Sequence, residues 1–145
     1  MKSIIKIISK QKLLGIIIKA GFQKQGIDFF TPPEFSQQLA YMQRTKGYVI
    51  TPHIHSQVKR SIKYTKETLF IKSGKVRIDF YDEKKNYLES RVLQKGDVVL
   101  LAFGGHGLEF IKDSEIIEVK QGPFISKAQP QRFVSIAKNK LRVKK

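Results

Sequence analysis

The sequence predicts an all-β domain, a sandwich or closed barrel of short strands. Apolar segments of strand length recur at close intervals: Tyr48 to His53, Thr68 to Lys72, Val76 to Tyr81, Leu88 to Leu93, Val98 to Leu101, Leu108 to Ile111 and Ile116 to Lys120. Turn signals fall between them at Ser73-Gly74, Asp82 to Asn86, Lys95-Gly96-Asp97, Gly104-Gly105 and Asp113-Ser114, the spacing expected of sandwiches and barrels. Val76, Ile78 and Phe80 alternate with Arg77 and Asp79, so one face of that strand packs the core. The 145 residues suffice for one such core.

The elements before these segments fit the same class. Ile4 to Ile8 and Leu13 to Lys19 are β-branched runs around Ser9-Lys10-Gln11-Lys12, predicting a hairpin or two edge strands. A helix through Ile4, Ile5 and Ile8 is the alternative, and Gly15 with the triple Ile that follows argues against extending it. Ile27 to Thr31 reads as a short strand stopped by Pro32-Pro33. Glu34 to Arg44 places Phe35, Leu39 and Met42 at helical spacing, but the all-β context favours strand. Gly122-Pro123 closes the strand pattern, and Ile125 to Lys145 is a mixed, basic remainder. The expected organisation is therefore one domain, 1–145: N-terminal strands and lead-in over 1–46, a core barrel over 47–122, and a basic extension over 123–145.

All three histidines lie in the middle of the chain. In Gly47-Tyr48-Val49-Ile50-Thr51-Pro52-His53-Ile54-His55, His53 and His55 stand two apart, so strand alternation points both imidazoles into one space where they can chelate. Glu67 follows in Thr65-Lys66-Glu67-Thr68-Leu69-Phe70, and Gly96-Asp97-Val98-Val99-Leu100-Leu101 leads through Gly104-Gly105 to His106. The paired glycines allow positive φ or a close backbone approach beside a ligand, and equally an ordinary hairpin turn. Three imidazoles and a carboxylate are a common first shell for a divalent transition metal that leaves one or two positions open.

This order of Gly47, His53, His55, Glu67, Gly74, Gly96 and His106 resembles the two sequence motifs of the cupin superfamily of small β-barrels. Five residues separate Gly47 from His53 and six separate Glu67 from Gly74, as the family has them. The sequence departs from the pattern in the eleven residues between His55 and Glu67, a longer insertion than is usual, in Ala102 where Pro is common, and in Phe110 where Asn is common. His106 also sits one residue early relative to Gly96. The resemblance implies a jelly-roll barrel (a double-stranded β-helix) holding one divalent ion, Mn, Fe, Co, Ni or Zn, on His53, His55, Glu67 and His106. Together with Glu118-Val119-Lys120-Gln121-Gly122-Pro123 it is similar to small single-domain cupins of bacterial surface-polysaccharide gene neighbourhoods. A metal so held can polarise a carbonyl or an enediolate, bind dioxygen if it is Fe(II), or activate water. Isomerase or epimerase chemistry on a small anionic, sugar-like ligand is the leading expectation, with a non-catalytic binding module as the alternative. Tyr48, Gln57, Lys59, Arg60, Tyr64 and Glu118 are the groups expected near the ligand; Lys59 and Arg60 lie in the insertion, where they can clamp an anion.

Composition bounds the partners. There is no cysteine, which excludes disulfides, thiolate ligands and thiol nucleophiles and tilts the expectation to the cytoplasm. Lysines at 6, 10, 12 and 19 break the N-terminal apolar stretch, whose longest run is Leu13 to Ile18. Neither an export signal of ~7–15 apolar residues nor a membrane span of ~20 is supported, so a soluble, unprocessed protein without a membrane partner is expected. The net charge of +16 is scattered along the chain, with one dense cluster at Lys138 to Lys145. No recognised nucleic-acid motif accompanies it, so binding through a basic surface is the lesser reading, and the field can instead draw in anionic small molecules. The Ile-rich N-terminal strands need pairing or cover, from which a homodimer that exchanges them is expected.

Overall fold

The computed structural model describes residues 3–125 and 130–145. The chain divides into two compact units, one of Met1–Phe22 with Tyr64–Lys145 and one of Gln23–Lys63. The first carries a seven-stranded sheet curled into a half-barrel, which makes the fold all-β and barrel-like. Its strands are β1 (Ile4–Ser9) and β2 (Lys12–Ile18), then, after β3 and β4 of the other unit, β5 (Glu67–Tyr81), β6 (Tyr87–Gln94), β7 (Val98–Leu101), β8 (Gly105–Lys120) and β9 (Val143–Lys144). The order is β1-β2-β7-β5-β6-β9, with β8 pairing β5 alone.

The expected N-terminal hairpin forms. β1 and β2 pair antiparallel from Ile4↔Ile18 to Ser9↔Lys12, around a tight turn in which Lys10 and Gln11 both take positive φ. β2 continues into the sheet through β7, so its inward residues Leu14 and Ile17 join Leu69, Ile71, Val76, Ile78, Phe80, Leu93, Val99 and Leu101 in one core. This apolar interior is what the alternation in Val76 to Phe80 predicts. The opposite face of β5 is covered over its second half, while Phe70 and Lys72 of the first half are exposed. Arg77 grips the Asp79 carboxylate through Nε at 2.8 Å and a terminal nitrogen at 2.9 Å. The Arg142 amide donates to Tyr87 Oη, Tyr87 to Ser90 Oγ, and Ser90 to Asp79. The C-terminal extension thus docks on this face, with Val143–Lys144 running parallel to β6.

Two expected turns are bulges inside long strands. Thr68 to Lys72 and Val76 to Tyr81 form the single strand β5, and Leu108 to Ile111 and Ile116 to Lys120 the single strand β8, their register slipping between Ile71 and Val76. Gly74 explains this: at φ +82° it absorbs an extra residue without ending the ladder, and a Cβ there would lie 2.1 Å from the Asp113 carbonyl oxygen. Ser114 completes the bend, its Oγ accepting from the Lys75 amide at 2.9 Å and donating to the Lys112 carbonyl at 2.6 Å. The Lys95-Gly96-Asp97 turn is as expected and buries Asp97 completely. Its carboxylate accepts from the amides of Ala20 and Gln94, each at 2.9 Å, and pairs with Lys19.

In the second unit β3 (Gly26–Phe29) pairs β4 (Ala40–Gln43). The strand expected over Glu34 to Arg44 is confined to those four residues of β4, because Gln38 Nε2 folds the preceding segment into a turn by donating to the carbonyls of Pro32, Pro33 and Phe35. The strand expected over Tyr48 to His53 is absent: the segment has no regular structure, Gly47 entering it at φ +86° and Pro52 supplying no ladder donor.

Truncating Asp97 to Ala takes the acceptor from two backbone amides and the partner from Lys19, so Asp97→Ala should cost about 3 kcal/mol in denaturant unfolding, and Lys19→Met only about 1. Equal losses would assign the turn's stability to the ion pair instead.

Candidate functional site

Glu67 opens β5, on the same face as the core residues Leu69 and Ile71, and its cross-strand partner is Lys120 at the end of β8. His106 lies at the other end of β8, opposite Phe80. A straight strand would separate Glu67 from Phe80 by ~40 Å, at ~3.3 Å per residue. Instead His106 Nε2 stands 3.2 Å from Glu67 Oε2, and Lys120 Nζ stands 2.5 Å from Glu67 Oε1. The bend at Gly74 and Ser114 curls the β5–β8 ribbon until its two ends meet.

The carboxylate is strongly perturbed. The His106 hydrogen bond, reinforced by Lys120 and opposed by burial, lowers the Glu67 pKa from 4.5 to about 2. Glu67 is therefore ionised throughout the physiological range. The same contact raises the pKa of Lys120, chiefly through its hydrogen bond to Glu67. The three side chains border a cavity of ≈ 340 Å³ that also involves Thr65, Gln121 and Phe124. His106 reaches a second cavity of ≈ 290 Å³ beside Tyr81, Arg132 and Phe133. Of the two readings of the glycine pair, positive φ and close approach hold, Gly104 taking φ +76° and Gly105 letting the Phe133 ring approach to 2.8 Å of where a Cβ would sit, but β7 and β8 do not pair with each other, so the pair is not a hairpin turn.

His53 and His55 belong to the second unit and are exposed. Their rings meet edge-on with centroids 5.0 Å apart, the shared side expected of an i, i+2 pair. His53 Nδ1 lies 2.9 Å from the Thr51 carbonyl oxygen, which can only accept, so Nδ1 is the donor of this contact. Among the described residues no group of three or more His, Cys, Asp or Glu is gathered as a metal cluster. The donors come instead as two pairs, and Glu67 and His106 are in direct hydrogen-bond contact, at a separation that two ligands of one ion can also have. Two donors each ~2.1 Å from one ion lie ~3.0–3.4 Å apart at octahedral or tetrahedral angles, and these two are at 3.2 Å.

The other expected ligand groups are dispersed. The Tyr48 ring lies under the Arg44 guanidinium at 4.7 Å, and Gln57, Lys59 and Arg60 are exposed in an irregular segment. Tyr64 stacks edge-on against Phe103, ring centroids 5.0 Å apart, in the wall of a separate cavity of ≈ 380 Å³. Glu118 is exposed on β8, opposite Leu69. Sequence reasoning missed Lys120. Only the β5–β8 register places it on Glu67, although the Glu118-Val119-Lys120 alternation marks it as sharing a face with Glu118. Among the described residues no helix is long and apolar enough to cross a membrane. Comparisons with protein-family models, curated proteins and solved structures found no match.

Because the folded-state pKa of Glu67 lies below its unfolded value of 4.5, the contact stabilises above pH 4.5 and is lost as pH falls toward about 2. Glu67→Gln should cost about 1–2 kcal/mol near neutrality, and the gap between parent and variant should narrow as pH falls below 4.5 and close only near about pH 2. A gap independent of pH would show that the carboxylate charge contributes nothing.

Proposed function

We propose that the chain is a metal-binding cupin that binds, and acts on, a small anionic, sugar-like molecule, with isomerisation or epimerisation the leading reaction. One observation carries the reading: a carboxylate and an imidazole at the separation of two ligands of one ion, on the wall of a cavity large enough for a small molecule. His53 and His55 are the further ligands that this reading calls for beside Glu67 and His106. A bound ion supplies Lewis acidity toward a carbonyl or enediolate oxygen. The ionised Glu67 carries the negative charge that retains the ion, and the positive field of the chain favours an anionic ligand. A cytoplasmic site of action belongs to the same proposal.

The alternative is a non-catalytic binding module. It is favoured by the saturation of Glu67, each of whose oxygens already has a partner. Nucleic-acid binding draws less support, since part of the basic C-terminal cluster is engaged: Lys144 pairs with Glu89, and Arg142 donates to the Tyr87 carbonyl at 3.3 Å.

A homodimer remains part of the proposal, with a different surface favoured from that expected. The N-terminal strands find partners within the chain, β1 on β2 and β2 on β7. β8 pairs on one edge only, over sixteen residues, and leaves Leu108, Phe110, Ile111, Ile117 and Val119 exposed. Such an edge invites a second strand. Antiparallel pairing with a second copy about Asp113–Ser114 sets Phe110 against Ile117 and Lys112 against Glu115, each twice by symmetry.

Elemental analysis of the untagged protein should find a near-stoichiometric transition metal that His53→Ala/His106→Ala loses. Parent protein that is metal-free and cannot be reloaded would leave only the binding module. Light scattering should find a dimer that Phe110→Lys/Ile117→Lys, which sets like charges against each other across the pairing, converts to monomer; a monomeric parent removes the β8 pairing.

A further inference from the structure

Glu67 holds two partners on separate oxygens, the Lys120 ammonium and the His106 imidazole, and only the imidazole is a metal ligand. Lys120 Nζ sits 2.5 Å from Oε1, while His106 Nε2 faces Oε2 at 3.2 Å. An ion taking the Oε2 and Nε2 positions displaces the ring proton and brings a divalent charge onto the carboxylate that Lys120 already occupies. Two cations on one carboxylate repel, and the carboxylate that held Lys120 is then neutralised by the ion. Lys120 can yield, because its side chain is half-exposed, 48%, on a flexible four-carbon stem. The space beside it is the ≈ 340 Å³ cavity walled by Thr65, Gln121 and Phe124, with no acidic residue but Glu67 among the described residues of its walls.

Resting on the metal-site reading, we infer that Lys120 is the anion-binding residue of this cavity and is held on Glu67 until an ion takes the carboxylate. The freed ammonium then receives the carboxylate, sulfate or phosphate group of the ligand. Metal and anion binding are therefore positively coupled, and by linkage each tightens the other. An anion also draws Lys120 away from Glu67, which unmasks the carboxylate for the ion. Lys120 acts here as a binding and positioning residue and takes no part in proton transfer.

The test is a Co²⁺ titration of the full chain, followed by the metal's visible absorbance and by calorimetry, in chloride and in sulfate at matched ionic strength. Matching removes the general salt response of a chain of charge +16. Sulfate should tighten Co²⁺ binding to the parent about fivefold or more. Lys120→Gln should bind Co²⁺ more tightly than the parent in chloride and show no sulfate effect, whereas Lys120→Arg should keep the effect. Thermal melts of each variant verify folding, and the parent's response to sulfate decides the matter even if Lys120→Gln does not fold. A parent indifferent to sulfate, or a Lys120→Gln variant with unchanged or weaker Co²⁺ affinity, overturns the inference and leaves Lys120 a structural ion pair. If neither parent nor variant binds Co²⁺ at all, the metal-site reading fails, and this inference with it.

Discussion

The bend in the β5–β8 ribbon is the constraint on which the rest of the first unit depends. Two antiparallel strands of fifteen and sixteen residues would extend ~50 Å if straight and would bury little. Gly74 at positive φ, faced by Ser114, lets both strands turn without breaking their ladder. The turn moves inward parity from Leu69 and Ile71 on one side of the bulge to Val76, Ile78 and Phe80 on the other, so a single apolar surface is kept on the concave side. The same curl brings Glu67 and His106 together although they lie at opposite ends of the ribbon. Fold and candidate site therefore have one cause.

Acidic groups are scarce in this chain, 12 against 28 Lys and Arg, and the buried ones stand at junctions. Asp97 joins the β6–β7 turn to the end of β2, Asp79 links Arg77 to the hydroxyl chain beneath the C-terminal segment, and Glu89 meets Arg91 and Lys144. Each is paired with a cation, as burial of a carboxylate requires. Glu67 follows the same rule with Lys120 but differs in setting, since it lines a cavity and carries a histidine as well. That difference separates a candidate site from three structural ion pairs.

Much of the fold was legible because the strand segments are apolar, β-branched and punctuated by glycine. The N-terminal hairpin, β6, β7 and the Asp97 turn follow directly from such patterns. The bulges did not, since Ser73-Gly74 and Asp113-Ser114 carry the same residues as turns; only their facing each other across the ladder makes them bulges. Tyr48 to His53 shows the opposite error, where strand-like alternation is interrupted by Pro52 and forms no ladder. For the site, spacing singled out Glu67 and His106 as members of one constellation. Lys120 escaped because its role depends on register, which periodicity does not specify.

The most direct test of this curled architecture is a double-mutant cycle on Glu67 and His106, using Glu67→Gln and His106→Gln and their combination in denaturant unfolding at neutral pH. A ribbon whose ends meet requires a coupling of about 1 kcal/mol or more between the two positions. Effects that add to within about 0.3 kcal/mol would mean that the two side chains do not touch, and would contradict both the curl and the site built on it.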